Sequence, residues 1–383
     1  MRYSQDRILT THVGSLPRPA SVERLLVKME HGEAYDEAAM EQEISAAVTQ
    51  SVMEQRDWGI DIVNDGEVSK TGYSTYVQQR LSGFSGESPS LRFDDLSPFP
   101  DYRRLQASAA GTRRLVRPCC TGPIRVHDEQ PLKRDIQNLT DATEHSDAID
   151  VFMNAASPGV VSLFHTNRFY PDDDEYLEAL AAVMRREYEA IHAAGLMLQI
   201  DCPDLAMGRH TQFRELSASD FLKRAALQVE VLNAALVNIP ANRVRMHVCW
   251  GNYEGPHHLD IPLEQLFDTL MAAKPNGLLI ESSNPRHAHE WELFRRRSLP
   301  DEKILIPGVI DSVTNYIEHP ELVAQRIIRF ADLVGRERVI AGTDCGFATF
   351  AGIGKVDPAI AVEKLKSLVA GSEIASRKLW RRA

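Results

Sequence analysis

The chain has 383 residues, 43% of them hydrophobic and 25% charged, and a formal net charge of −11. That balance suits a soluble globular protein with material for a sizeable core, and it excludes the broad basic face that neutralises nucleic-acid phosphates. No stretch approaches the ~18 apolar residues of a membrane span, and an odd set of five cysteines in a large chain points to reduced thiols in the cytoplasm.

The opening, MRYSQDRILTTHVGSL, lacks the long apolar run of a secretory signal. Residues 1–58 read as a lead-in that is mostly helical, through AYDEAAMEQEISAAVTQSVMEQRDWG. A short apolar run then ends in acids, GIDIVNDGE at 59–67, and behaves as a buried strand leaving the core. From 82 to 113 the Pro/Ser-rich LSGFSGESPSLRFDDLSPFPDYRRLQASAAGTRR predicts an inserted loop or ribbon over the site, because structureless loops of that length are uncommon unless functional or disordered.

Strand patterns follow at LVRPCCTGP (115–123), DVFMNAASPG (150–159), LMLQIDCPD (196–204), RVRMHVCWGN (243–252), GLLIESSN (277–284), ILIPGVIDS (304–312) and RVIAGTDCGF (338–347). Between most of them apolar residues recur at three and four, as in DEYLEALAAVMRREYEAIHAAG, SASDFLKRAALQVEVLNAAL, PLEQLFDTLMAAK and HPELVAQRIIRFADLVG, the spacing of amphipathic helices. Eight strands alternating with helices imply an α/β fold with a parallel sheet, most economically a closed (β/α)8 TIM barrel, with an open doubly wound sheet as the alternative. The basic tail SRKLWRRA reads as a solvated helix end.

In a barrel the chemistry sits where strands end, which is where DGE, DCPD, HVCWGN, ESSN and GTDCG fall. His247 and Cys249 are two apart on an extended strand and so face one side. Two ligands rarely hold a metal. Cys345, at the end of the last strand, is the third candidate, and Glu281 stands on the rim between them. A His, two Cys and a carboxylate suit Zn²⁺ and suit Mg²⁺ poorly. Alone, H-x-C is weak evidence, because buried Cys and His are often simply core residues.

The segments TTHVGSLPRP, VNDGE, LQIDCPD, MHVCWGN, IESSN and GTDCG stand in the order and approximate spacing of the catalytic half of cobalamin-independent methionine synthase. Over about residues 8 to 350 the chain resembles that family and its single-barrel relatives, which include the epoxyalkane:coenzyme M transferases. The resemblance implies a barrel of the uroporphyrinogen-decarboxylase and methionine-synthase type, with Zn²⁺ held by His247, Cys249, Cys345 and, as in the methionine synthases, Glu281. It also implies that Gly14-Ser15, Glu67 and Asp201 hold the amino-acid part of homocysteine. Ser15 can donate to a carboxylate, while Glu67 and Asp201, the carboxylates of the catalytic site, can balance an ammonium group. On position alone those two acids serve equally well as helix caps at strand exits.

The chain departs from the family at two places. Asp201-Cys202-Pro203 stands where methionine synthases carry Asp-Glu-Pro, and Val313 in IDSVTN takes the place of a histidine implicated in protonating the leaving folate nitrogen. The expected function is therefore zinc-dependent alkyl transfer to a small thiol, in the first instance methyl transfer from a methyl-folate to homocysteine. The rival in the same class is epoxide opening by coenzyme M, with Arg18 and Arg168 as sulfonate contacts. A decarboxylase of the uroporphyrinogen type, or a non-catalytic metal-binding barrel, belongs to another class and leaves Cys249, Cys345 and Glu281 unexplained. No nucleic-acid or membrane partner is expected, and an oligomer is compatible with the sequence.

Other features point to structure. Cys119 and Cys120 are adjacent on a strand, face opposite ways and suit burial better than chelation. His257, His258, His287 and His289 fall near the rim, where exposure or substrate contact is the expectation. GFATFAGIG lacks the order of a nucleotide-binding loop.

Overall fold

The computed structural model describes residues 1–109 and 116–380. Ten strands are present among them: β1 Leu9–Thr10, β2 Ile62–Val63, β3 Leu81–Ser85, β4 Cys119–Val126, β5 Asp150–Ala156, β6 Met197–Asp201, β7 Val244–Val248, β8 Gly277–Ile280, β9 Ile304–Ile310 and β10 Ile340–Thr343. Eight of these form one parallel sheet in the order β1-β10-β9-β8-β7-β6-β5-β2. The seam between its two ends is bridged where Asp61 N–H donates to the Thr10 carbonyl at 3.2 Å and the Thr11 hydroxyl donates to the Ile62 carbonyl at 3.1 Å. The result is a nearly closed TIM barrel ringed by helices.

Eight barrel strands were expected, but one of them is a different segment. The run at 115–123 leads into β4, which pairs antiparallel with β3 outside the barrel. The place it was assigned belongs to β1, so the region before residue 59 supplies a barrel strand as well as helices Ala20–Glu30 and Glu37–Asp57. Two residues carry no periodicity, and a short, partly apolar run looks the same in a hairpin as in a barrel. The 82–113 stretch is not structureless: it enters through β3, makes a short turn of helix at Asp94–Leu96 and forms the helix Pro100–Ala109. The rest of that stretch, from 110 to 113, and the last three residues of the basic tail lie outside the described residues. Cys119 and Cys120 are both buried, as expected.

Barrel strands are buried on both faces, so their runs are mostly apolar, with the polar exceptions turned into the interior. Leu9, Ile62, Phe152, Met197, Leu279, Ile304, Ile306 and Ile340 fill the lower interior. Arg245 is fully buried among them, its guanidinium 3.7 Å from the Phe152 ring centroid and donating to Gln199 Oε1, Thr11 Oγ1 and the His12 carbonyl. Among the described residues no helix is long and apolar enough to cross a membrane.

The segment between β2 and β3 carries several site residues and is tied to the outer ring by Arg80, which meets Glu187 of helix Asp173–Ala193 at 2.7 Å with both side chains almost fully buried. Removing one partner leaves the other charge buried and unpaired. Arg80→Met should therefore lower the unfolding free energy by roughly 3–5 kcal/mol, read from urea melts; a loss below about 1 kcal/mol would show that the pair does not anchor this segment.

Candidate metal centre and substrate pocket

β7 places His247 inside the barrel in register with Asp201 of β6. Cys249 follows at the strand's end, Glu281 leaves β8 and Cys345 leaves β10. The ligand atoms of His247, Cys249 and Cys345 all lie within 4.8 Å of one another, and all three residues are buried. Cys345 Sγ is 3.8 Å from His247 Nε2 and 3.5 Å from Glu281 Oε1. Bonds of ~2.0–2.3 Å in a tetrahedron give ligand–ligand edges of roughly 3.3–3.8 Å, a range that holds both separations from Cys345, so these donors suit Zn²⁺. Burial pushes Glu281 up to about 8, reinforced by charge on Cys249, and drives the Cys345 thiol well above its ordinary value. A divalent cation would supply the missing positive charge and hold these groups ionised.

The rim that presents these groups is braced by Asp344. Its carboxylate accepts from the backbone N–H groups of Ser282, Ser283 and Asn284 at 2.8 to 3.0 Å and from the Ser283 hydroxyl at 2.5 Å. The loop carrying Glu281 is thereby fixed to the loop carrying Cys345. Gly308 of β9 makes room: a Cβ there would come within 2.1 Å of Asp344 Oδ1. Glu281 itself accepts from Trp250 N–H at 3.0 Å and from Asn284 Nδ2 at 2.8 Å.

His247 is oriented from below. Its Nδ1 lies 3.3 Å from Asp201 Oδ1, and its Nε2 faces the Asp344 carbonyl at 3.0 Å and Cys345 Sγ at 3.8 Å. Asp201 also accepts from Gln199 Nε2 at 2.9 Å and from Asn154 Nδ2 at 3.0 Å, and Gln199 Oε1 accepts from Arg245 at 2.7 Å. A carboxylate behind a ligating imidazole is a common second layer of a metal site. Asp201 was expected to bind substrate. The structure gives it these protein partners while also placing it on the wall of the adjoining cavity.

That cavity measures about 280 Å³ and brings Ser15, Glu67, Asp201, His247, Cys249 and Cys345 to one space. Glu67 has φ 53°, a left-handed conformation that a residue with a side chain adopts only when its surroundings impose it. Its Oε2 is buried and has no hydrogen-bond partner among the described residues. Gly14, at φ +149°, admits the carboxylate, since a Cβ there would stand 2.5 Å from Glu67 Oε1. Burial raises Glu67 to about 7, with Lys70 opposing and Asp201 adding to the rise. Ser15 Oγ lies against Gly346, beside Cys345.

Other expectations resolve differently. Arg18 donates to the carbonyls of Ala348, Glu67 and Lys70, Arg168 is exposed, and neither lines this cavity. Val313 does line it. His258 and His289 are exposed, but His257 and His287 are turned inward onto Asp260, each 2.9 Å from Oδ2, because a buried carboxylate needs donors. Sequence reading missed Asn154, Gln199, Arg245 and Asp344. Only Asp344, beside Cys345 at a strand end, carried a positional signal.

The fold and rim define a (β/α)8-barrel protein with a His/Cys/Cys cluster, able to hold a metal ion, on a cavity that also carries Glu67 and Asp201. The chain belongs to the cobalamin-independent synthase family, whose catalytic-domain model matches residues 8–90 and 169–362. It is 24% identical over 373 residues to a methionine synthase of Thermococcus kodakarensis, covering 97% of this chain and 94% of that protein. A methionine synthase of Saccharolobus solfataricus is 23% identical over 376 residues, covering 97% and 96%. Among solved structures, a B12-independent methionine synthase from Shewanella sp. W3-18-1 in complex with selenomethionine superposes with a TM-score of 0.75 at 18% identity, covering 98% of this chain and 99% of the other.

Two outcomes follow from this geometry. Asp201→Ala should weaken metal binding about 10–100-fold, measured by competition with a chromophoric chelator; unchanged affinity would mean that His247 needs no brace. The stability that protonated Glu67 confers is complete below its unfolded value of 4.5 and is lost as pH rises through about 7. Glu67→Gln should thus gain roughly 3 kcal/mol over the parent at pH 8 and almost nothing near pH 4, and a difference that does not grow with pH would contradict the unpartnered carboxylate oxygen.

Proposed function

We propose that the protein is a zinc-dependent methyltransferase that converts homocysteine to methionine, acting in a compartment that keeps its cysteines reduced. Family membership supports a methyltransferase of the methionine-synthase kind. The observation that carries the finer reading is the shared cavity, whose wall holds His247, Cys249 and Cys345 together with Ser15, Glu67 and Asp201.

An amino-acid thiol has three groups to satisfy. Glu67, with a buried and unpartnered Oε2, takes the ammonium, and binding that cation lowers the carboxylate back into its ionised form. Asp201 adds negative charge at the same end while keeping His247 oriented. Ser15 donates to the α-carboxylate. The sulfur then lies toward Cys249 and Cys345, where bound Zn²⁺ would supply a thiolate at neutral pH without redox chemistry. The apolar walls exclude water and hold the sulfur in line with an incoming methyl group. The relative from Shewanella was solved with selenomethionine, an analogue of the product proposed for this protein.

The acidic end favours homocysteine over coenzyme M. Two carboxylates attract an ammonium and repel a sulfonate. Among the described lining residues the cation is Lys355, which reaches away to Gln106 Oε1 at 3.0 Å. Methyl-folate and epoxide differ in what leaves the carbon, and Val313, at the cavity wall, carries no proton for a leaving nitrogen.

Purified protein should carry stoichiometric zinc, and Cys345→Ser should lose it while keeping the fold. With cobalt in place of zinc, homocysteine should shift the visible absorption of the parent protein and coenzyme M should not. A parent protein free of metal, or a cobalt spectrum indifferent to homocysteine, would overturn the reading.

A further inference from the structure

The family match breaks off at residue 90 and resumes at 169, yet the segment just past the break reaches the pocket. Leu91 and Phe93, both half-buried, contribute to the wall of the cavity that holds His247, Cys249 and Cys345. We propose that Leu91 and Phe93 are specificity-determining residues that restrict the group carried on the substrate sulfur to a small alkyl. This deepens the homocysteine reading and rests on it.

The wall is held in place by this chain's own side chains. Asp95, fully buried two residues beyond Phe93, accepts through Oδ2 from the Tyr253 hydroxyl at 2.5 Å and from His257 N–H at 3.0 Å. Phe93 packs on Tyr253 with ring centroids 4.7 Å apart, and His257 stacks on the same tyrosine at 4.2 Å. Tyr253 has that position because Gly251 and Gly255 leave it space: a Cβ on either would fall 2.8 Å or 2.3 Å from the ring. Farther along the insertion, the Tyr102 hydroxyl donates to the Glu254 carbonyl at 2.8 Å, and Gln106 accepts from Lys355 at 3.0 Å. The cover is therefore fastened to the rim loops after β7 and after β10, both of which carry proposed metal ligands.

Size follows from that fastening. A cavity of about 280 Å³ stands just below the ~300–1,000 Å³ of clefts that enclose drug-sized ligands. It has room for an amino-acid thiol and a small substituent, and growth of the substituent meets a clamped aromatic wall. Packed interiors resist such growth because neighbouring rings cannot shift without breaking their own contacts.

The test is calorimetric binding of S-alkylated homocysteines, from methyl through ethyl and butyl to benzyl, to the zinc-loaded protein. The parent should prefer methionine to the benzyl homologue by at least about tenfold, and Phe93→Ala should bring the two within about threefold. Leu91→Ala should shift the ratio in the same direction. Phe99→Ala, an exposed position on the same insertion, should leave the ratio alone. A parent that binds the benzyl homologue as tightly as methionine, or a Phe93→Ala and Leu91→Ala pair that keeps the parent's preference, overturns the proposal and leaves the homocysteine reading standing. Failure of every member of the series to bind the parent overturns both.

Discussion

Like charges crowded into a dry space need a counter-charge, and this constraint organises the upper end of the barrel. Two thiols and an imidazole meet with no Lys or Arg among them, Glu281 lies 3.5 Å from one of the sulfurs, and a single divalent ion at this cluster would supply the counter-charge. Everything that positions those groups is rigid. Strand register sets His247 beside Asp201, and Asp344 locks the loop after β8 to the loop after β10. The polar interior layer beneath connects the centre to Arg245, whose charge lies near Asp201, while Lys70 and Arg18 oppose the charge of Glu67. Burial lowers the Arg245 guanidinium only to about 9, so it stays charged at neutral pH.

A consequence is a division of labour between scaffold and insertion. The barrel supplies the candidate metal ligands and the carboxylates of the pocket from strand ends, where backbone hydrogen bonds leave little freedom. The insertion supplies part of the wall through Leu91 and Phe93, and its side chains hydrogen-bond to the rim. Chemistry and selectivity can then vary separately, because a change in Phe93 leaves the strand register untouched.

The metal-ligating candidates were legible because their signal is local and periodic: His247 and Cys249 are two apart on a strand, and Cys345 and Glu281 terminate apolar runs. The barrel class was legible for the same reason. What escaped depends on contacts across the fold. Asp201 and His247 are 46 residues apart and become partners only through the pairing of β6 with β7. Tyr253 and Asp95 are 158 apart, and no period connects them. β1 is too short to show a pattern, while β4 shows a good one in a hairpin, so an eight-strand reading reached the right architecture with one wrong member.

The claim on which the rest depends is that these rim groups share one ion. X-ray absorption at the zinc edge of the loaded protein measures that directly. The account predicts sulfur scattering from Cys249 and Cys345 together with a nitrogen or oxygen shell from His247 and Glu281, and an increase in the sulfur contribution at the expense of oxygen when homocysteine is added. A zinc shell of nitrogen and oxygen alone, unchanged by the thiol, would contradict it.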